Sequence, residues 1–209
     1  LVINNFLYAI KKPEVLKIIN STALHSAYLK AIKDYIQPVM VQVALIVPVL
    51  ASLNTKNKSG IIIGVFYFLI FLTTSYASKN SFKISKLVKT NIPDKTLLLG
   101  LISGAICGVL FYFEIWIISL LFFTCIYILE NIRKPLLTGD IADNVDSEIL
   151  TSVISAQSFF STIATAGIAI SIGIVADTFN VGVAFIIISV LLLILTNILN
   201  IKKELNSNN

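Results

Sequence analysis

Charge is scarce in this chain: 13% of its 209 residues are Asp, Glu, Lys or Arg, against 56% hydrophobic residues and a mean hydropathy of +0.90. Soluble domains carry about 25% charged and about 45–50% apolar residues, and a core of this chain length cannot hide the excess. That excludes a water-soluble globular domain and makes lipid the solvent for most of the chain. Histidine is nearly absent as well. The single His25 has no carboxylate or thiol at a useful spacing. The two cysteines, Cys107 and Cys125, both fall inside apolar runs with neither disulfide nor metal-ligand spacing, and read as small packing residues. There is no nucleophile elbow and no glycine-rich phosphate loop. No basic stripe is interleaved with aromatics, so the net charge of +5 is not a nucleic-acid signal. The acidic group Asp140, Asp143, Asp146 and Glu148 matches no calcium loop. Asp146 or Ser147 instead suits a helix N-cap, with Glu148 favourable in the first turn. The expectation is a membrane protein that is no enzyme and uses no metal, no cofactor and no nucleic-acid partner.

What is present is a series of apolar runs. A bilayer core of about 30 Å takes roughly 20 residues of helix, and five runs fit: about 60 to 77, 96 to 113, 115 to 129, 151 to 176 and 181 to 201. The second and third are joined so tightly at "YFEIW" that they form a hairpin with Glu114 at the turn; the third is short, and its ends extend to Glu114 and Asn131. Residues 15 to 53 would make one helix about 58 Å long, so they hold one span and something more. Six spans put both termini on one side. Lys11, Lys12, Lys17, Lys79, Lys83, Lys86, Lys89, Lys95, Arg133, Lys134, Lys202 and Lys203 lie on that side, against Lys56 and Lys58 on the other. The positive-inside rule then makes both termini cytoplasmic. The organisation expected is a juxtamembrane linker over 1–15, an all-α six-helix transmembrane domain over 16–203 and a cytoplasmic tail over 204–209.

The stretch "SAYLKAIKDYIQP" leaves two readings of the first span open. Ser26, Lys30, Lys33, Asp34 and Gln37 share an arc of about 100° on a helix, and Lys30 and Asp34 are an i, i+4 pair. In one reading 13 to 34 is an amphipathic helix on the cytoplasmic surface and 35 to 53 is the span. In the other, 16 to 37 is the span, Pro38 breaks it and 39 to 53 is an extracellular helical element. Charges inside a span cost about 2.5–3.5 kcal/mol each and are kept where they face a watery cavity.

The segment "ENIRKPLLTGDIADNVDSEILTSVISAQSFF", continuing to "GIVADTFNVGVAF", resembles the end of a major facilitator superfamily transporter. The resemblance rests on Asn131-x-Arg133-x-Pro135 at a helix exit, Asp143-Asn144-Val145, Val153-Ile154-Ser155 and Gly173-x-x-Ala176-Asp177. Upstream, "DYIQP" and "SYASKNS" look like the first span of the second half and the loop after its second span, so the similarity covers most of residues 6 to 203. Similar sequences often have an Arg where this chain has Leu150. The resemblance implies the C-terminal half of a secondary transporter in the cell membrane, one half of a twelve-helix bundle, with a six-helix N-terminal half as partner. A small-molecule substrate would sit between the first, second, fourth and fifth helices. It also favours the cavity reading of the first span.

On that reading Lys30, Lys33, Asp34 and Gln37 line the cavity, the lysines attracting an anionic group and Asp34 pairing with them or carrying a coupling proton. Gln157, Ser161 and Thr165 form a second stripe at four-residue spacing, from which Gln157 and Ser161 are the cavity candidates; Ser and Thr can equally bond the i−4 carbonyl of their own helix. Glu114 is a second, weaker candidate for proton coupling. Gly100, Gly104 and Gly108 make a small-residue face suited to close helix packing. Two other classes share this pattern: the membrane domain of an ATP-driven exporter, and a scaffold that dimerises through the glycine face.

Overall fold

The computed structural model describes residues 13–46, 55–88 and 92–207; side chains are described for 23–46 except Asp34, 57–86, and 95–196 except Asp140 and Asn144. Lys11, Lys12, Lys89, and 47–53 of the alternative first span lie outside the described residues, as do the side chains of Lys17, Lys56, Lys202 and Lys203. Every element among the described residues is helical: α1 Pro13–Ile32, a 3₁₀ turn Lys33–Tyr35, α2 Ile36–Ile46, α3 Thr55–Lys79, α4 Ser81–Val88, α5 Ile92–Tyr112, α6 Trp116–Asn144, α7 Ser147–Thr178 and α8 Val181–Ser207.

Four helices are long and apolar enough to cross a membrane, over Asn57–Lys79, Lys95–Tyr112, Trp116–Asp143 and Ser147–Thr178. Two shorter apolar stretches, Ile36–Ile46 and Val181–Thr196, accompany them. The exposed faces of the long helices are oily: Phe68, Phe71 and Leu72 on α3, Leu99 on α5, Leu121 on α6, Ile170 and Ile174 on α7. Water would penalise such a belt, and hydrocarbon would not. The chain is therefore built as an integral membrane protein.

Several hydroxyls in these helices are satisfied locally. Thr73 donates to the Leu69 carbonyl (2.9 Å), Thr124 to Leu120 (2.8 Å), Thr162 to Ser158 (3.0 Å) and Ser171 to Gly167 (2.8 Å). This i−4 bonding lets a polar residue sit in an apolar helix with no partner elsewhere. Side chains that bond across helices are correspondingly few, and they mark where the bundle is held together.

The glycine face of α5 is one such place. A Cβ on Gly104 would lie 2.8 Å from Cζ of Tyr28, and one on Gly108 would lie 2.7 Å from the Gly182 carbonyl oxygen and 2.9 Å from the Ile186 nitrogen. The face is filled by α1 and α8 of the same chain. Tyr28 and Ser189 share a hydrogen bond of 2.6 Å beside it, and Phe111 and Tyr35 both pack on Phe185. Cys107 is buried here, with the Ser119 hydroxyl donating to its carbonyl at 3.1 Å. The turn between α5 and α6 does fall at Glu114, an exposed residue with φ 58°.

Apart from hairpins between chain neighbours, the most extensive packing is of α5 on α8, α1 on α7 and α3 on α6, with α1 and α2 also lying against α6.

Two expected boundaries are corrected. The first helix is interrupted at Lys33–Tyr35, ahead of Pro38, and the helix continues through Pro38 to Ile46. Proline cannot donate to the carbonyl four residues back, and its ring crowds that carbonyl; the strain is taken up one turn earlier, at Asp34. The fourth helix does not end at Asn131. It runs through Pro135 to Asn144, with Arg133 buried where a cytoplasmic exit had been expected. On α1, Ala23, His25, Ala27, Tyr28, Leu29, Ala31 and Ile32 are buried within the bundle, and the break at Lys33–Tyr35 falls where the surface-helix reading set its boundary between 34 and 35.

Candidate functional site

From Leu24 to Gln42, the exposed positions are Lys30, Lys33, Gln37, Pro38 and Gln42, with the Asp34 side chain outside the described residues. None is a large apolar residue. The buried positions between them, including Tyr28, Ile32, Ile36 and Met40, form part of the core. The exposed positions from Leu24 to Gln42, on the end of α1, the 3₁₀ turn and the first turns of α2, are thus polar or proline, where the other long helices are oily.

The structure brings two expected site residues together. Lys30 Nζ donates to the Ser161 hydroxyl of α7 at 3.3 Å. Ser161 is buried, and its carbonyl accepts the Thr165 hydroxyl at 2.7 Å. Gln157, one turn earlier, is half-buried, while Ser158 and Thr162 are exposed. Thr165 is occupied by its own helix, as the local alternative foresaw. Lys33 and Gln37 remain exposed beside Lys30, and Glu114 stands apart in its turn.

One turn below Lys30 on α1 lies a polar group that sequence reasoning missed. The Ser26 hydroxyl donates to Glu130 Oε1 of α6, and His25 Nε2 stands 3.7 Å from Glu130 Oε2. Arg133, one turn along α6, is completely buried. His25 therefore does have a carboxylate neighbour, more than 100 residues away in sequence, which the spacing of residues within one helix could not reveal. Gly100 makes the room: a Cβ there would lie 2.5 Å from Cε1 of the imidazole. Gln42 also escaped notice, because it sits in an apolar run that reads as plain span.

Together these groups form a polar seam between α1, α6 and α7, with cations at its exposed end and a compensated acid–base cluster at its buried end. Comparison with protein-family models, with curated proteins and with solved structures finds no match.

Proposed function

We propose that the chain is the C-terminal six-helix half of a secondary transporter of the major facilitator type, which moves a small anionic solute through the cell membrane by rocking against an N-terminal half. The observation that carries this reading is the polar outward stretch from Lys30 to Gln42 on an otherwise oily bundle. A face of Lys30, Lys33 and Gln37 turned to hydrocarbon would cost about 2.5–3.5 kcal/mol for each lysine. The same face turned to a water-filled path between two halves costs little and offers two cations to an anion.

The packing supports the same reading. Take α1 with α2 as the first crossing, then α3, α5, α6, α7 and α8 as the second to sixth. The leading pairs are third with sixth, first with fifth, second with fourth, and first with fourth. Exchanging the first three crossings for the last three maps this set onto itself. Three alternating crossings would also reverse direction, and this exchange of pairs is the one inverted repeats give, the arrangement that secondary transporters build around a midplane site. Both termini are then cytoplasmic. Gln157, half-buried on α7, completes the proposed lining.

The test is a set of single cysteines in the full-length protein with Cys107 and Cys125 replaced by alanine. A membrane-impermeant maleimide is expected to label cysteines at Lys30, Lys33, Gln37 and Gln42, and to leave those at Leu191 and Ile194 on the oily side of α8 unlabelled. If the positions from Lys30 to Gln42 are as unreactive as the α8 positions, the water-lined path is wrong.

A further inference from the structure

Among the described residues, the buried side chains that are charged or imidazole number three, and they lie together: His25 (1% exposed), Glu130 (8%) and Arg133 (0%). Burying an ionised group is costly unless it is compensated. Arg133 stays protonated at any working pH, so an ionised Glu130 with a neutral imidazole leaves the set without net charge.

One feature exceeds what structural compensation needs. Neither Glu130 Oε2 nor His25 Nε2 has a hydrogen-bond partner, and the two face each other at 3.7 Å. Buried polar atoms without partners are rare. The imidazole's own proton has the Ile126 main chain of α6 beside it, and with that proton on Nδ1 the bare Nε2 lone pair faces a carboxylate oxygen, an opposition that one further proton resolves. A proton taken up by either group turns the contact into a charge-assisted hydrogen bond. We infer that His25 and Glu130 together bind one exchangeable proton inside the bundle. Uptake takes the set from neutral to a single positive charge; release returns the proton to water.

The surroundings are described for each helix packed on the pair. Arg133 and Lys134 of α6 and Lys30 of α1 act on Glu130 as positive charges, the Ser26 hydroxyl holds Oε1, and α5 presents Gly100 to the imidazole. Lys30 lies four residues beyond Ser26, about 6 Å along the helix. An anion held at Lys30 favours the proton at His25–Glu130, and the proton favours the anion equally. This use of the proton rests on the transport reading above; the proton site itself does not.

The experiment is infrared difference spectroscopy of the full-length protein in lipid nanodiscs, stepped between alkaline and acidic buffer. The expected result is a protonated-carboxyl band that is lost in Glu130→Gln and whose pH midpoint moves by about one unit or more in His25→Gln. Ser26→Ala, which deletes one hydroxyl, shifts the frequency of the same band and serves if the charge variants do not fold. A spectrum unchanged by Glu130→Gln, a midpoint unmoved by His25→Gln or, where neither charge variant folds, a band indifferent to Ser26→Ala overturns the site. Cysteine labelling separates the two proposals. One-sided labelling of Gln37→Cys with the band intact sinks transport and keeps the proton site. Two-sided labelling without the band does the reverse.

Discussion

Gly108→Leu is expected to prevent the bundle from assembling, with no monodisperse protein recovered by size exclusion in mild detergent. The new Cβ alone would meet the Gly182 carbonyl oxygen at 2.7 Å and the Ile186 nitrogen at 2.9 Å. Both are main-chain atoms, so no side chain can rotate away, and α8 must move as a rod. Overpacking a well-filled core costs about 1–3 kcal/mol when neighbours can adjust; here they cannot, and the loss lies at or above that range. Gly64→Leu on α3 is the control, because nothing lies within 4 Å of its Cβ position. It is expected to change stability by no more than about 0.5 kcal/mol. Equal behaviour of the two variants would show that α5 and α8 do not pack as described.

Arg133→Met ranks next. The guanidinium is fully buried and acts on Glu130 one helical turn away. Removing it leaves a carboxylate in the bundle interior without its main compensating charge, a change that costs about 3–5 kcal/mol in buried pairs. Thermal unfolding in detergent is expected to drop by roughly 10 °C. Glu130→Gln added to Arg133→Met should recover part of the loss, because the orphaned charge is then gone. A double variant no more stable than the single one would mean that Arg133 serves something other than Glu130.

The expected glycine face shows how far sequence carried. Gly100, Gly104 and Gly108 at four-residue spacing announce a close helix contact, and each is met by another helix of the chain or a side chain from it. What the spacing could not say was which helix: Gly100 seats His25, Gly104 seats Tyr28, and Gly108 meets α8. The filled face also leaves no room there for a second copy of the chain, the geometry a glycine-seam dimer would need. The "YFEIW" turn was equally legible, because two apolar runs separated by one acid can only reverse. The Lys30–Ser161 contact joins residues picked separately from two polar stripes, but their pairing depends on α1 lying against α7.

The failures share a cause. Asn131, Arg133 and Pro135 read as the end of a helix, since charge and proline are what such an end contains, yet the helix runs on to Asn144. In the fold, Glu130 and Arg133 face each other's charge on α6, and Ser26 and His25 of α1 complete the group across helices. The Ser26–Glu130 bond spans 104 residues of sequence, and periodicity within a single helix carries no information about it. Asp34 is the remaining expectation: its backbone lies in the 3₁₀ turn that Pro38 imposes, and its side chain is outside the described residues.

Alternating access, as proposed, requires the polar stretch from Lys30 to Gln42 to face a path opened in turn to the two sides of the membrane. Gln37→Cys in the full-length protein lacking Cys107 and Cys125 tests it most directly, with an impermeant maleimide applied to right-side-out and then to inside-out vesicles. Alternating access predicts labelling from both sides, each diminished when the opposite side has been labelled first. Labelling from one side only would contradict it, leaving Lys30, Lys33 and Gln37 as the wall of a fixed vestibule.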